Sequence, residues 1–226
     1  MDNSRFSVPF TILSIMFCLC FIIDSFLELK VVEVYGIPFT AGMIIIALTY
    51  VVNDCIVEVY GYQKARLLLW ITFIAHAVSV GLLQLACWLP SPSYWEGAEH
   101  FNFIFGPAPR ITIASMIAFV VGSSTNAYVM SKMKVMYDGK YFKIRAIAST
   151  VAGESVDAAV FFTIGFLGIL PFTELLTMIA VQATGKCLCE ALVLPITERV
   201  VAHVKKVDNV DTYDTNISYN PLSLKV

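Results

Sequence analysis

Six runs of predominantly apolar residues leave this chain few ways to fold, because each is long enough to span the roughly 30 Å hydrocarbon core of a bilayer as a helix. They cover about 8–29, 38–60, 66–89, 109–131, 144–170 and 173–202. Inside lipid every backbone N–H and C=O must be satisfied within the segment, so runs of this length without strand alternation read as helices. Composition agrees: 58% of the 226 residues are hydrophobic and 14% charged, against about 25% charged in soluble domains. The expected fold is an all-α integral membrane protein, a six-helix bundle over residues 1–206. Pro38, Pro90, Pro107, Pro109 and Pro171 fall at or near the expected helix ends, where a missing N–H costs least.

Basic residues give the bundle an orientation. Of the fifteen Lys and Arg, Arg5, Lys64, Arg66, Lys132, Lys134, Lys140, Lys143, Arg145, Arg199, Lys205, Lys206 and Lys225 fall on one side of a six-span chain. Lys30 and Arg110 fall on the other, and Lys186 lies inside a span. The positive-inside rule then puts both termini in the cytoplasm. The aromatic-rich stretch 90–108 reads as the one long loop, outside the cell, with no Lys or Arg. Residues 207–226 are polar and read as a disordered cytoplasmic tail, in which the Asn216-Ile217-Ser218 sequon carries no weight. A formal net charge of −2 gives no reason to expect nucleic acid as a partner. The six cysteines lie in apolar stretches and read as free buried thiols, not as metal ligands.

Charges inside the spans are the anomaly. An ionisable group at mid-bilayer costs about 2.5–3.5 kcal/mol on insertion scales, so such groups face a bundle interior or a watery cavity. Here they come in pairs at helical spacing: Asp54 and Glu58, Glu154 and Asp157, Lys186 and Glu190. Each pair shares a helix face. Counting in from the ends places Asp157 and Lys186 at similar depth, as an expected ion pair. Glu154 and Glu190 lie about a turn nearer the cytoplasm, with Asp54 and Asn126 at similar levels. Glu58 is close enough to the interface to be solvated and reads as a gate or structural residue, as does Arg110. Five acids against one base leave carboxyls waiting for a ligand. Such a polar path suits a small hydrogen-bond-donating or cationic solute. No hydrolase, metalloprotease or phosphate-loop motif accompanies it, so the chain reads as a non-enzyme without cofactor or metal. His76, a lone histidine in a span, reads as a packing residue.

At this point the residues resemble a known family. "LTYVVNDCIVEVYGYQKAR" (48–66), "PRITIASMIAFVVGSSTNAYVMSKMK" (109–134), "GESVDAAVFFTIGF" (153–166) and "TGKCLCEALVLPITERV" (184–200) are similar, in order and spacing, to the bacterial queuosine precursor transporters, formerly grouped as vitamin uptake transporters. The first span and the tail match least. The resemblance implies import of 7-cyano-7-deazaguanine, 7-aminomethyl-7-deazaguanine or queuine for tRNA queuosine modification. On that reading Asp54, Asn126, Glu154, Asp157, Lys186 and Glu190 are the candidate substrate residues. A carboxylate there accepts the N1–H and exocyclic amine of the base together. Phe39, Tyr50, Phe161 and Phe162 are the stacking candidates. The rival readings are a substrate-capture subunit of an energy-coupling-factor transporter, and an intramembrane enzyme. The functional unit is left open between one chain and a homodimer.

Overall fold

The computed structural model describes residues 7–27, 30–34, 37–106, 109–168, 171–215 and 217–220. Seven helices carry the fold: α1 (Val8–Leu27), α2 (Met43–Tyr60), α3 (Tyr62–Trp88), α4 (Ala98–Phe105), α5 (Pro109–Met136), α6 (Phe142–Phe166) and α7 (Phe172–Asp208). Five of them, α1, α3, α5, α6 and α7, are long and apolar enough to cross a membrane by length and composition. The 18-residue α2 packs on α1, α3, α5 and α7.

Helix boundaries correct the sequence reading in three places. Residues 38–40, expected to open the second span, belong instead to a short antiparallel hairpin of β1 (Val31–Val34) and β2 (Ile37–Thr40), with Glu33 opposite Pro38. Proline tolerates that position because an isolated two-stranded ribbon is all edge. The fold is therefore helical with a hairpin before α2. The stretch 90–108 is not all loop: α4 lies within it, and Gln84 donates to the Phe105 carbonyl at 2.8 Å. Between α2 and α3 the turn shrinks to Gly61 alone, at φ 87°, a torsion that glycine adopts at little cost.

The molecule is polar inside and greasy outside. Cys55, Ile56, Val57 and Val59 of α2 are at most 1% exposed. Buried with them are Asp54, Glu58, Asn126, Arg145 and Glu154. Large apolar side chains such as Ile74, Val78 and Leu82 of α3 and Leu188, Leu192 and Ile196 of α7 point outward. A water-soluble monomer rarely exposes so much apolar surface; lipid makes that arrangement favourable.

Two glycines set the tightest helix contact. A Cβ on Gly122 would stand 2.7 Å from the Asp157 Cβ, and one on Gly153 would stand 2.8 Å from the Asn126 Cβ. Without side chains at these positions, α5 and α6 approach closely, and the crossing sets Asn126 and Asp157 beside the opposing backbone.

One end of the bundle gathers the start of α1, the end of α2, the starts of α3 and α6 and the ends of α5 and α7. Ser7 and Tyr60 both bond the Asp208 carboxylate, the second at 2.5 Å. This basic end also binds residues within 209–215 and 217–220. The Thr212 N–H donates to the Val59 carbonyl, and the Asp214 carboxylate accepts from the Tyr62 N–H at the start of α3, at 2.8 Å. Arg66 donates to the Ser218 and Asn220 carbonyls, and the Tyr219 ring packs against Tyr62 and Tyr128. The expectation of a disordered tail is thus corrected over these residues. Their polar groups look unsatisfiable in sequence because their partners lie some 80 to 150 positions away.

Candidate functional site

Polar groups inside the bundle fall into three tiers, each one helical turn of about 5.4 Å from the next. On α2 the tiers are marked by Tyr50, Asp54 and Glu58, at i, i+4 and i+8. Spacing of four keeps them on one face, turned toward α6 and α7.

The tier farthest from the basic end holds a narrow cavity among α1, α2, α5, α6 and α7. Thr49, Tyr50, Asn53, Ser115, Ser123, Asp157, Gln182 and Lys186 supply its polar wall, with Asp24 from α1; Phe21, Phe119 and Phe161 supply aromatic faces. Lys186 Nζ lies 3.2 Å from Asp157 Oδ2 and 3.1 Å from Glu154 Oε2. The expected Lys186–Asp157 pair is present, and Glu154 joins it. The Tyr50 hydroxyl stands beside Glu154. One ammonium between two carboxyls leaves this tier short of positive charge.

In the middle tier the Asp54 carboxyl stands against that of Glu190, with Thr150 beside Glu190. Asn53 donates to Asn126 at 2.9 Å, and Asn126 donates to Thr150 at 3.3 Å. These side chains are all buried. Asp54 Oδ1 and both oxygens of Glu190 accept no hydrogen bond from the protein.

The third tier, at the basic end, is built differently. Glu58 is 1% exposed, not solvated as its nearness to the span end suggests. Arg145 grips it in bidentate fashion at 2.5 and 3.1 Å, Lys205 at 2.7 Å, and Lys134 stands 3.7 Å away. Lys134 also bonds the Glu58 carbonyl and the Asp211 carboxylate, and Lys205 reaches Asp211 at 2.9 Å. Partial burial of Asp211 works to raise its carboxyl, but the hydrogen bonds and charges of Lys134 and Lys205 outweigh that and hold it below the ordinary carboxylate range. Arg145 and Lys134 count in sequence only as cytoplasmic anchors. No one-dimensional signal marks them as buried partners of Glu58, because the contacts close loops of 87 and 76 residues.

The structure thus brings Asp54, Asn126, Glu154, Asp157, Lys186 and Glu190 into two adjoining tiers and sets Glu58 apart. Among the stacking candidates, Tyr50 and Phe161 line the cavity. Phe162 instead packs into a small core with Ala158 and Leu175. The side chains of Phe39 and Arg110 lie outside the described residues. Sequence reasoning missed Asn53, Thr49, Ser123 and Gln182; only the helical spacing of Thr49 and Asn53 about Tyr50 hints at their shared face.

Comparison with known proteins adds an independent line. Residues 40–200 match the family described as "Putative vitamin uptake transporter". A protein of Bacillus subtilis (strain 168) named "Probable queuosine precursor transporter" is 26% identical over 143 residues, 63% of this chain and 62% of the relative. One of the same name from Haemophilus influenzae (strain ATCC 51907 / DSM 11121 / KW20 / Rd) is 27% identical over 131 residues, 56% of this chain and 52% of the relative. The match therefore spans less than two thirds of either relative's length. No solved structure matches. The family match covers Tyr50, Asp54 and Glu58 of α2 and the polar residues of α5, α6 and α7 as far as residue 200, leaving Asp24, Lys205 and Asp211 outside it, and on it the chain belongs to this family of uptake transporters.

Proposed function

We propose that the chain imports queuosine precursors, 7-deazaguanine bases destined for tRNA modification, across a bacterial inner membrane. The observation that carries the reading is the cavity wall on which Asp157 and Lys186 meet, inside a bundle whose outer surface is apolar. A deazaguanine presents an N1–H and an amine side by side on one edge and a carbonyl oxygen next to them. The Asp157 carboxylate accepts the two donors together, with Glu154 in reserve behind it. Lys186 gives one of its two carboxylate partners to the base and donates to the carbonyl. Hydrogen bonds to charged groups contribute about 1.5–3 kcal/mol each, enough to hold the base at micromolar concentration with stacking added. Phe161 and Tyr50 offer the faces. The relatives' printed names support the solute class.

In this reading α2 spans the bilayer with the five long apolar helices, giving six spans. The basic end, where Ser7 meets Asp208, faces the cytoplasm, and so both termini do. The base enters from the far side, rests in the cavity and leaves past the carboxyl tier once the basic end opens. The test is uptake of each labelled base by cells lacking their own transporter, with tRNA queuosine as readout. Restoration by this chain supports the reading. Failure with every base, at verified membrane expression, overturns it. Uptake by the purified chain alone in vesicles separates a self-sufficient carrier from a capture subunit that needs an ATP-driven partner.

A further inference from the structure

The middle tier has chemistry that base binding leaves unused. Asp54 is 1% and Glu190 2% exposed, and they come from different helices to stand carboxyl against carboxyl. Neither lines the cavity, so a base seated there does not reach them. Buried oxygens without donors cost free energy unless something supplies a proton or a cation. The cations of the neighbouring tiers are engaged: Lys186 with Glu154 and Asp157, Arg145 with Glu58.

We infer that Asp54 and Glu190 form a proton-binding site that couples base import to inward proton movement. The inference rests on the import reading above. One proton held between the two carboxyls supplies the donor that both lack. A hard metal cation is a poorer occupant, since it takes about six oxygens. Beside Glu190 stands the Thr150 hydroxyl, whose oxygen already accepts from the Asn126 amide.

The surroundings suit a proton that must load and unload. On α2 the pair has Tyr50 toward the cavity and Cys55 and Glu58 toward the basic end. From α6 it faces Glu154 and, beyond Glu58, Arg145; α7 adds Lys186 and Cys187 near Glu190, and α5 presents Asn126, with Lys134 a tier away at Glu58. The cavity tier lies on the outer side and the Glu58 tier closes the inner side. A proton arriving through the cavity therefore reaches the pair before the basic end opens, and leaves once it does. The step is a transfer of H⁺ from outer water to the pair and from the pair to inner water, with no bond to the base formed or broken.

The experiment uses the full chain in sealed vesicles with labelled 7-cyano-7-deazaguanine. Base exchange is measured first without a gradient, and then uptake under an inward gradient of one pH unit. That gradient supports about tenfold accumulation per coupled proton. Expected is gradient-driven accumulation by the parent, with acidification of the vesicle interior that follows the base. The Glu190→Gln variant, at whatever rate it still exchanges base, should no longer accumulate it under the gradient and should move it with no acidification of the vesicle interior; Asp54→Asn serves as the second variant. The inference is overturned if the parent exchanges base but ignores the proton gradient, if a sodium gradient alone drives accumulation, or if Glu190→Gln still accumulates. Loss of base binding in Glu190→Gln overturns it too, by placing the pair in the base cradle. Absence of any exchange by the parent instead overturns the import reading, and the two failures are distinguishable. Should both variants fail to fold, the proton count per base imported by the parent decides alone.

Discussion

Glu58 and Glu190 are both glutamates buried to within 2% of full enclosure, and their surroundings are opposite. Glu58 meets three cations, one of them bidentate. Neither Glu190 oxygen meets a protein donor. A buried anion with more partners than it needs is a fixed structural point. One with fewer than it needs has a use for something that comes and goes. Charge in the interior therefore says little by itself about function; the balance of donors around it says more.

The comparison breaks most visibly at Arg145. Arg145→Ala removes the bidentate partner of buried Glu58 and leaves it to Lys205 and Lys134, and loss of one partner of a buried pair costs up to about 3–5 kcal/mol. The expected outcome is collapse of thermal stability in detergent. Glu190→Gln, by contrast, should melt within about 1 kcal/mol of the parent, since it exchanges a shared proton for an amide donor to Asp54. If the two variants melt alike, the contrast between the tiers fails. At the cavity, Asp157→Asn removes a charged acceptor worth about 1.5–3 kcal/mol, so base uptake should fall roughly ten- to a hundredfold while the bundle stays folded. Normal uptake by this variant would remove Asp157 from the site.

A smaller effect sharpens the geometry. Gly153→Ala forces a methyl to within 2.8 Å of the Asn126 Cβ, overpacking of a kind that costs about 1–3 kcal/mol. Both stability and uptake should fall together, and addition of base should recover part of the melting temperature. The smallest effect belongs to Asp211. Its carboxyl is held below the ordinary range by Lys134 and Lys205, so it contributes stability while ionised, and that contribution is lost as pH falls through the lowered value. The melting difference between parent and Asp211→Asn should be present at neutral pH, begin to shrink as pH falls below about 4, the unfolded carboxyl value, and vanish only below the lowered native value.

What a sequence shows of such a protein follows the range of the forces involved. The apolar runs that became α1, α3, α5, α6 and α7 are local patterns and legible as such, as is the Lys186–Asp157 match in depth. The closeness allowed by Gly122 and Gly153 could be read only as a permission. The Glu58 cluster was hidden because its cations sit at helix ends and look like interface anchors; only the packing of α5 and α7 on α2, with α6 packed on both, turns them inward. Residues 209–215 and 217–220 were misread for the related reason that composition measures a segment's own greasiness and not the vacant N–H groups and carbonyls of the surface it lies on. The hairpin before α2 was absorbed into a span because Pro38 serves a helix start and an edge strand equally well.

Gly61 is confined twice. Its torsion of 87° belongs to a region that side chains resist, and a Cβ there would also stand 2.8 Å from Asp214 Oδ1 and 2.9 Å from Thr212 Cγ2. The first restriction comes from the joint between α2 and α3, the second from the irregular segment laid over it. Truncation before Thr212 would lift the second and leave the first untouched. The intolerance of this one position to alanine is thus a sum of two quantities that a shortened chain can separate, giving a direct measure of how firmly the segment after α7 holds the helix that bears Asp54.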